Sequence, residues 1–331
     1  MGGKGKKKGK KSVKTNHETL PGVSCCCPTM LKRSHFLNQT IHLFKQQDYQ
    51  GDIELFIFCD DFSGDDFKED SPEALFLKTI EDARAGLKKN QSIRVLTSKK
   101  KLILGEKRQI MATDPKLKDI ITWWDDDDFF YPTRVSYSVK RLTSDKTLRA
   151  VGCSAQEIFF STLCQFSRVQ PMSNESHATC GTISMWSKLF KDGNEMEDPP
   201  LTFQKGQGFA EEKHMLKDYT VKLKQLDPSK VIMIVSHGST NTVAKEQLVN
   251  RKNLSQVTSG GGGLEKMIKT FTKKDHQSTQ FYMSLIKLKE EQGESAQWRL
   301  YRDSGRQDIF YIDGKHLDHE STTYKRLNGL L

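Results

Sequence analysis

Four consecutive aspartates at positions 125–128 follow directly after an apolar run at positions 120–124. Four adjacent carboxylates repel one another, so ordering them is costly unless a cation lies nearby. The apolar run predicts a short buried strand, and the acidic run predicts the turn that leaves its carboxyl end. Ligands of open α/β sheets bind at the carboxyl ends of strands, and oxygen ligands suit Mg²⁺, Mn²⁺ or Ca²⁺. We therefore expect a divalent metal here, with a phosphorylated substrate on its other side.

The alternative for this acidic run is a solvated loop, which is the commonest role of a run of charges. Trp123 and Trp124 precede the run, and three aromatic residues follow it at positions 129–131. So much apolar surface on both sides argues against a free loop and favours the metal site.

The net charge of +10 is concentrated at one end of the chain of 331 residues. Seven lysines and no acidic residue occur within residues 1–14, and they account for most of that charge. We predict that residues 1–20 form a disordered basic tail. Residues 4–14 could make weak contacts with nucleic acid or an anionic membrane, or serve only as a solubility or localisation arm.

The apolar runs are too short to span a bilayer or to form a signal peptide. The seven cysteines include no Cys-x-x-Cys pair, which disfavours a structural zinc site and is consistent with reduced thiols. Cys25, Cys26 and Cys27 lie in an apolar stretch and are expected to be core residues of a strand. We therefore expect a soluble, cytoplasmic protein.

Predicted strands and helices alternate through the first 150 residues. The strands are expected at 22–27, 53–59, 92–97, 120–124 and 148–153, and the helices at 35–47, 71–89 and 132–141. A further helix is expected from the segment at 102–109 toward Ala112. This alternation predicts an α/β fold with a mostly parallel central sheet flanked by helices. Asp60 and Asp61 end the second strand and should share a crevice with the aspartate run. No P-loop and no Gly-x-Gly-x-x-Gly motif follows a strand, which disfavours P-loop enzymes and dinucleotide dehydrogenases.

The remaining chain divides into three parts. A final core strand is expected at 231–235, leading to His237, and it closes a domain that spans 21–258. The glycine run at 259–263 predicts a hinge. Residues 264–331 predict a C-terminal α/β appendage with helical stretches at 264–272 and 281–291. They also predict short strands at 298–301 and 308–312, and a hairpin turn at 311–315.

Four short motifs occur in a characteristic order. They are Cys-Pro-Thr-x-x-x-Arg at 27–33, Asp-Asp-x-Ser at 60–63, Gly-x-x-Arg at 105–108 and Trp-Asp-Asp-Asp-Asp-x-x-x-Pro at 124–132. Over residues 22–245 this order resembles glycosyltransferase family 2. The similarity is greatest to the GT-A-fold members of bacteria and large DNA viruses, which would place the protein in a host cytoplasm or virion if it is viral.

The resemblance implies a site for a nucleoside-diphosphate sugar, with UDP-sugars as the commonest donors. The donor-binding residues it implies are Pro28, Thr29, Arg33, Asp60 or Asp61, Arg108, Asp125, Asp126 and Gly181. Gly181 belongs to a small-residue strand at 176–183 that would line the sugar and acceptor cleft, where His177 could contact the acceptor.

The resemblance also implies a metal site and a general base. Asp125 and Asp127 take the places of the Asp-x-Asp pair that holds Mn²⁺ or Mg²⁺, and Asp128 lies beside them. His237 could complete the metal site, or be a loop histidine bonded to backbone. In inverting members, the second acid of a Glu-Asp pair is the base. Glu212 occupies that position with one methylene more, so Glu211 remains a candidate.

Glycosyl transfer explains these residue types chemically. A divalent cation stabilises the leaving diphosphate, and a carboxylate removes the proton of an acceptor hydroxyl. The sequence thus predicts a metal-dependent, inverting glycosyltransferase that acts on a glycan, a protein or a small-molecule acceptor. Two alternatives remain: a metal-dependent nucleotidyl or phosphoryl transferase, and a non-catalytic structural or nucleic-acid-binding protein that uses the lysine tail.

Overall fold

The computed structural model describes residues 19–64, 67–160, 165–206, 211–236, 254–258, 278, 298–302, 308–312 and 315–316. Its strands are β1 Val23–Met30, β2 Ile53–Asp60, β3 Gln91–Ser98, β4 Ile120–Trp123, β5 Phe129–Phe130, β6 Ala150–Gly152, β7 Gln156–Phe160, β8 Gln165–Val169, β9 Ser184–Trp186, β10 Leu223–Gln225, β11 Ile232–Ser236, β12 Leu254–Thr258, β13 Trp298–Arg302, β14 Asp308–Ile312 and β15 Lys315–His316. Its α-helices are α1 Leu37–Lys45, α2 Pro72–Arg84, α3 Leu104–Ala112, α4 Arg134–Thr143 and α5 Glu211–Met215.

The central sheet has seven strands in the order β10-β6-β9-β4-β1-β2-β3. Strands β1 to β4 are parallel to one another, as are β6 and β10, and β9 is antiparallel to both strands beside it, β4 and β6. The predicted mostly parallel sheet is therefore confirmed. Strand β1 has β2 on one side and β4 on the other, so the winding direction reverses between β1 and β4. Crevices at such reversals bind ligands in open α/β sheets.

Helices cover both faces of this sheet. Cys25 and Cys27 of β1 belong to a core with residues of α1, α2 and α4, whereas Cys26 faces a second core with residues of α3 and α5. Because successive residues of a strand point to opposite faces, three adjacent cysteines can all be buried. All three are at most 1% exposed, as the sequence predicted, and none of the six described cysteines is in a disulfide.

A second sheet has the order β12-β8-β7-β11-β5. Strand β11 is a buried core strand as expected, but it is not the final strand of the domain. It lies in this second sheet, parallel to β7 and antiparallel to β5, and β12 follows it along the chain. The sequence did not predict that β11 lies in a second sheet, because one of its partners there is a strand of only two residues, Phe129–Phe130, directly after the acidic run.

Several local predictions need correction. Helix α1 is preceded by a 3₁₀ turn at Leu31–Phe36, and α2 ends at Arg84 rather than at residue 89. The strand expected at 176–183 is wrong: a 3₁₀ turn at Cys180–Thr182 leads into β9. The small residues there serve close packing against the aspartate run rather than strand pairing, as the contacts of Gly181 show.

The strands expected near 298–301 and 308–312 are present as β13 and β14, which with β15 form an antiparallel three-stranded sheet. The glycine hinge, the two helical stretches at 264–272 and 281–291 and nearly all of the lysine tail lie outside the described residues. Among the helices that are described, none has the length and apolar character needed to cross a membrane.

Candidate active site

The aspartate run is held at both ends. Trp123 and Trp124 are fully buried and belong to the two opposite cores of the sheet. After the run, Phe129 and Phe130 are at most 3% exposed, and they pair with β11. Three of the four aspartates are themselves buried, with exposures of 3–8%. The run is therefore an ordered, buried turn at the carboxyl end of β4, and the alternative of a solvated loop is wrong.

Asp126 is bound by one residue near the end of β1 and one in the turn that follows it. Thr29 Oγ1 donates to Asp126 Oδ2 at 2.5 Å, and Arg33 contacts both carboxylate oxygens, at 2.6 Å and 3.0 Å. Arg33 Nη2 also lies 2.9 Å from Asp127 Oδ2. Burial alone would lower the pKa of Arg33, but the charges of Asp126 and Asp127 raise it above its usual range. The 3₁₀ turn after β1 thus places a fixed cation beside the second and third aspartates.

Asp60 is committed to structural contacts. Its side chain is fully buried, and Lys107 Nζ lies 2.8 Å from Oδ1 while the backbone N–H of Leu102 donates to Oδ2 at 2.7 Å. Lys107 Nζ also donates to the carbonyl oxygen of Thr29 at 2.8 Å. Asp61 is exposed, and its backbone is in the left-handed region with a φ of +72°. Of the two predicted acids, only Asp61 is open to a ligand.

Arg108 joins the aspartate run to the glutamate pair. Its guanidinium is buried, with Nη2 2.8 Å from Asp125 Oδ1 and Nε 3.0 Å from Glu211 Oε1. A third nitrogen, Nη1, lies 2.8 Å from Cys180 Sγ. Gly181 packs against the same aspartate so closely that an added Cβ would lie 2.4 Å from Asp125 Oδ2. Glycine is thus the only residue that fits beside this carboxylate.

The two glutamates differ in their surroundings. Glu211 is paired with Arg108, whereas no ion pair of Glu212 occurs within the described ranges. Burial raises the pKa of Glu212 to about 7, against about 4.5 for an ordinary glutamate, and the charge of Glu211 adds to the effect. A carboxyl group with this pKa exchanges its proton near neutral pH, as a general base must.

Arg134 is a further buried cation that the sequence did not point to. Its guanidinium is fully buried and donates to the carbonyl oxygens of Trp123, Gly181 and Thr182 at 2.9–3.1 Å. Burial lowers its pKa to about 10. Arg134 therefore fixes the end of β4 to the turn that carries Gly181. Lys107 was missed in the same way, because nothing local distinguishes either residue from a surface cation.

Oxygen atoms suited to a divalent cation are present, but they are few. Within the described ranges, no three His, Cys, Asp or Glu side chains are grouped as a metal cage. Asp126 is taken up by Arg33 and Thr29, and Asp128 Oδ1 accepts from the backbone N–H of Val235 at 2.9 Å. Asp125 is the most exposed, with 30% of its side chain accessible. Mg²⁺ is commonly bound by one or two carboxylates together with substrate phosphates, and the residues present fit that mode.

The structure brings most of the predicted residues together. Pro28 and Thr29 lie at the end of β1, beside the aspartate run, and Arg33, Arg108 and Gly181 contact members of that run directly. Glu211 is joined to the run through Arg108. Asp60 is separated from the site by its contacts with Lys107. His237 lies outside the described residues, so its predicted metal contact stays a prediction.

Neither a protein-family model nor a curated protein matches the sequence. Among solved structures, residues 1–349 of S. aureus TarS in complex with UDP-GlcNAc match at 11% identity over 87% of this chain and 98% of that chain, with a TM-score of 0.47. Mannosyltransferase PcManGT from Pyrobaculum calidifontis, in complex with GDP-Man and Mn²⁺, matches at 12% identity over 82% and 75%, with a TM-score of 0.46. This chain covers 37% of a longer TarS structure, at 13% identity and a TM-score of 0.41. Because these TM-scores are below 0.5, the similarities carry no argument about function, and the proposed function rests on the residues of the site.

Proposed function

We propose that this protein is a GT-A-fold glycosyltransferase that transfers a sugar from a nucleoside diphosphate to an acceptor hydroxyl. One observation carries the proposal: Arg108 contacts Asp125 of the aspartate run and Glu211 of the glutamate pair at 2.8 Å and 3.0 Å. The Arg108 side chain therefore bridges two acidic groups: a cluster that suits a metal-bound diphosphate, and a separate pair of carboxylates. Glycosyl transfer from a sugar nucleotide requires both groups, one for the leaving group and one for the acceptor proton.

We assign the metal-facing role to Asp125 and Asp127. Asp125 is partly exposed. The ion pair of Asp127 with Arg33 is shared with Asp126, so the charge of Arg33 is divided between the two carboxylates. Bound Mn²⁺ or Mg²⁺ would stabilise the negative charge that develops on the leaving diphosphate. Arg33 contributes a fixed positive charge on the same side, which favours a diphosphate electrostatically. Asp128 orients the turn through its hydrogen bond to Val235.

The nucleoside is expected along the ends of β1 and β2. Pro28 and Thr29 form the end of β1, and Asp61 is the exposed acid at the end of β2. Asp60 supports this region from within, because Lys107 bonds both its carboxylate and the carbonyl of Thr29. We propose UDP as the preferred nucleotide and family 2 as the affiliation, on the motifs shared with its bacterial and viral members.

Glu212 is the proposed general base. Arg108 pairs with Glu211, whereas burial raises the pKa of Glu212 to about 7. Near neutral pH the ionised fraction of Glu212 can therefore accept a proton from an acceptor hydroxyl. A base that acts directly on the acceptor corresponds to a single displacement, and we therefore propose inversion at the sugar carbon.

Thermal unfolding in the presence of Mn²⁺ and a panel of nucleoside diphosphates tests the donor site. At a UDP concentration of about 100 times its Kd, binding adds about 2.7 kcal/mol, which corresponds to a rise in Tm of roughly 5–10 °C. The rise should require Mn²⁺ and should be lost in Asp127→Asn. Asp82→Asn, an exposed aspartate of α2, is the matched control and should keep the full shift. A shift that survives in Asp127→Asn, or no shift with any nucleotide, would refute the proposal.

A further inference from the structure

An unusual turn follows the helix that carries Glu211 and Glu212. Lys217, Asp218 and Tyr219 have φ values of +48°, +54° and +63°. None is a glycine, and three consecutive left-handed residues with side chains are rare because each Cβ crowds the backbone. Such conformations persist only where neighbouring contacts impose them, and they concentrate at functional sites.

Contacts on the outer side of this turn impose its conformation. Lys217 Nζ lies 2.6 Å from Glu197 Oε1 and donates to the carbonyl oxygen of Pro199 at 2.8 Å. The backbone N–H of Asp218 donates to the carbonyl of Lys213 at 2.9 Å, and Thr220 Oγ1 donates to the carbonyl of Lys217 at 2.7 Å. The turn is therefore fixed, and its effect is to set the direction of the Tyr219 ring.

The Tyr219 ring packs on His177. The two ring centroids are 4.9 Å apart, with an angle of 50° between the ring planes. His177 is oriented in turn by Ser154, whose Oγ lies 3.0 Å from His177 Nδ1 and accepts from the backbone N–H of Met172 at 2.8 Å. Both rings remain partly exposed, and the Met172 side chain is 51% exposed. Together they form an oriented surface of mixed apolar and polar character.

This aromatic pair lies close to the glutamate pair, because the charge of Glu212 acts on the Tyr219 hydroxyl. His177 is four residues before Gly181, which touches Asp125, so it lies within about 14 Å of that contact. Tyr219 follows the short helix whose Glu211 pairs with Arg108. The pKa of Tyr219 is raised to about 12 by burial and by the charge of Glu212. In the sheet, β9, which follows the turn of Gly181, lies on one side of β4, and β1 lies on the other.

We propose that Tyr219 and His177 form the acceptor subsite and that the acceptor is a glycoside. This assignment rests on the proposed glycosyltransferase function. A pyranoside has an apolar C–H face, which an aromatic ring binds, and a polar edge, which an imidazole and a carboxylate bind. With its ring on Tyr219, the glycoside would present a hydroxyl toward Glu212, whose charge acts on Tyr219 and which would remove the proton.

Saturation-transfer NMR with a panel of methyl pyranosides tests the subsite separately from the donor. Wild-type protein should bind at least one methyl pyranoside, and Tyr219→Phe should retain that binding because it keeps the ring. Tyr219→Ala should weaken it at least about tenfold, as expected when an aromatic residue is removed from a binding site. Tyr219→Gly is a second ring deletion that also suits the positive φ, so it guards against misfolding of the alanine variant. Tyr137→Ala, on α4, is the matched control and should bind as wild type.

The shift in Tm with UDP and Mn²⁺ should be unchanged in all four variants, because neither Tyr219 nor Tyr137 is among the proposed donor-binding residues. Failure of every methyl pyranoside to bind wild type, or undiminished binding by both ring-deletion variants, would overturn the subsite while leaving the donor site standing. Loss of the nucleotide shift in wild-type protein would instead overturn the transfer function on which the acceptor assignment rests.

Discussion

Replacement of Arg108 by methionine should destabilise the protein strongly, because Arg108 joins two carboxylates inside it. The guanidinium is 1% exposed, and its partner Glu211 is 4% exposed. Methionine fills a similar volume but carries no charge, so it leaves Glu211 buried without a counterion. Asp125 suffers less, because 30% of its side chain reaches solvent.

The size of this effect follows from the burial of the Arg108–Glu211 pair. Breaking a buried ion pair from one side costs about 3–5 kcal/mol. At about 2–4 °C per kcal/mol, Tm should fall by roughly 6–20 °C. Replacing Glu211 by glutamine in the same chain removes the unpaired charge, so Arg108→Met with Glu211→Gln should recover part of the loss. The two substitutions should be coupled by at least about 1 kcal/mol.

Urea unfolding of wild type, the two single variants and the double variant measures this coupling. Arg84→Met is the matched control, since Arg84 pairs with Glu81 at 2.6 Å on the surface and its side chain is 46% exposed. Removal of that pair should cost at most about 0.5 kcal/mol. The reasoning from burial would be refuted by either of two results. The effects of Arg108→Met and Glu211→Gln on the free energy of unfolding could be additive, or Arg108→Met could lose no more unfolding free energy than the control.

Four further predictions concern the site. Glu212→Gln should lower turnover by about 10²–10⁴-fold, and wild-type turnover should rise with pH through a midpoint near 7, because the base must be ionised. Because folding raises the pKa of Glu212 from 4.5 to about 7, its stabilising contribution is present below pH 4.5 and lost as pH rises through 7. Glu212→Gln should therefore exceed wild type in stability at pH 8 by on the order of 3 kcal/mol in urea unfolding. Gly181→Ala should displace Asp125 and weaken the UDP–Mn²⁺ shift, whereas Gly64→Ala, which meets no atom within 4 Å, should not. EDTA should abolish the UDP shift, and added Mn²⁺ should restore it; a shift that EDTA leaves intact would contradict a metal-bound diphosphate.

The sheet could be predicted from the sequence because its strands carry local signals. The apolar runs at β1, β2 and β4 identified the strands, and the acids at the ends of β2 and β4 identified the edge where ligands are expected to bind. The second sheet was not predicted. Strand β5 has only two residues, and its pairing with β11 joins positions about 100 residues apart. No local pattern reports a contact over such a separation.

The site was predicted by residue type better than by role. The sequence placed Asp60 and Asp61 together at the nucleoside, yet the two side chains have different partners. Lys107, 47 residues away, binds Asp60, whereas Asp61 is exposed. Likewise, Arg108 was expected at the donor phosphates, but its contacts are the protein's own carboxylates. Tertiary packing decides which charged side chains pair with each other, and short motifs do not encode that pairing.

The contacts of Arg134 limit how the aspartate run can be moved or engineered. Its guanidinium holds three backbone carbonyls from two separate segments, Trp123 and residues 181–182. Transplanting residues 124–132 into another α/β scaffold would carry this arginine only if the graft extended to position 134, and would still lack the carbonyls of the second segment. A transferable version of the site must therefore include both segments. Directed evolution that varies position 134 should find few replacements for Arg134 that are tolerated.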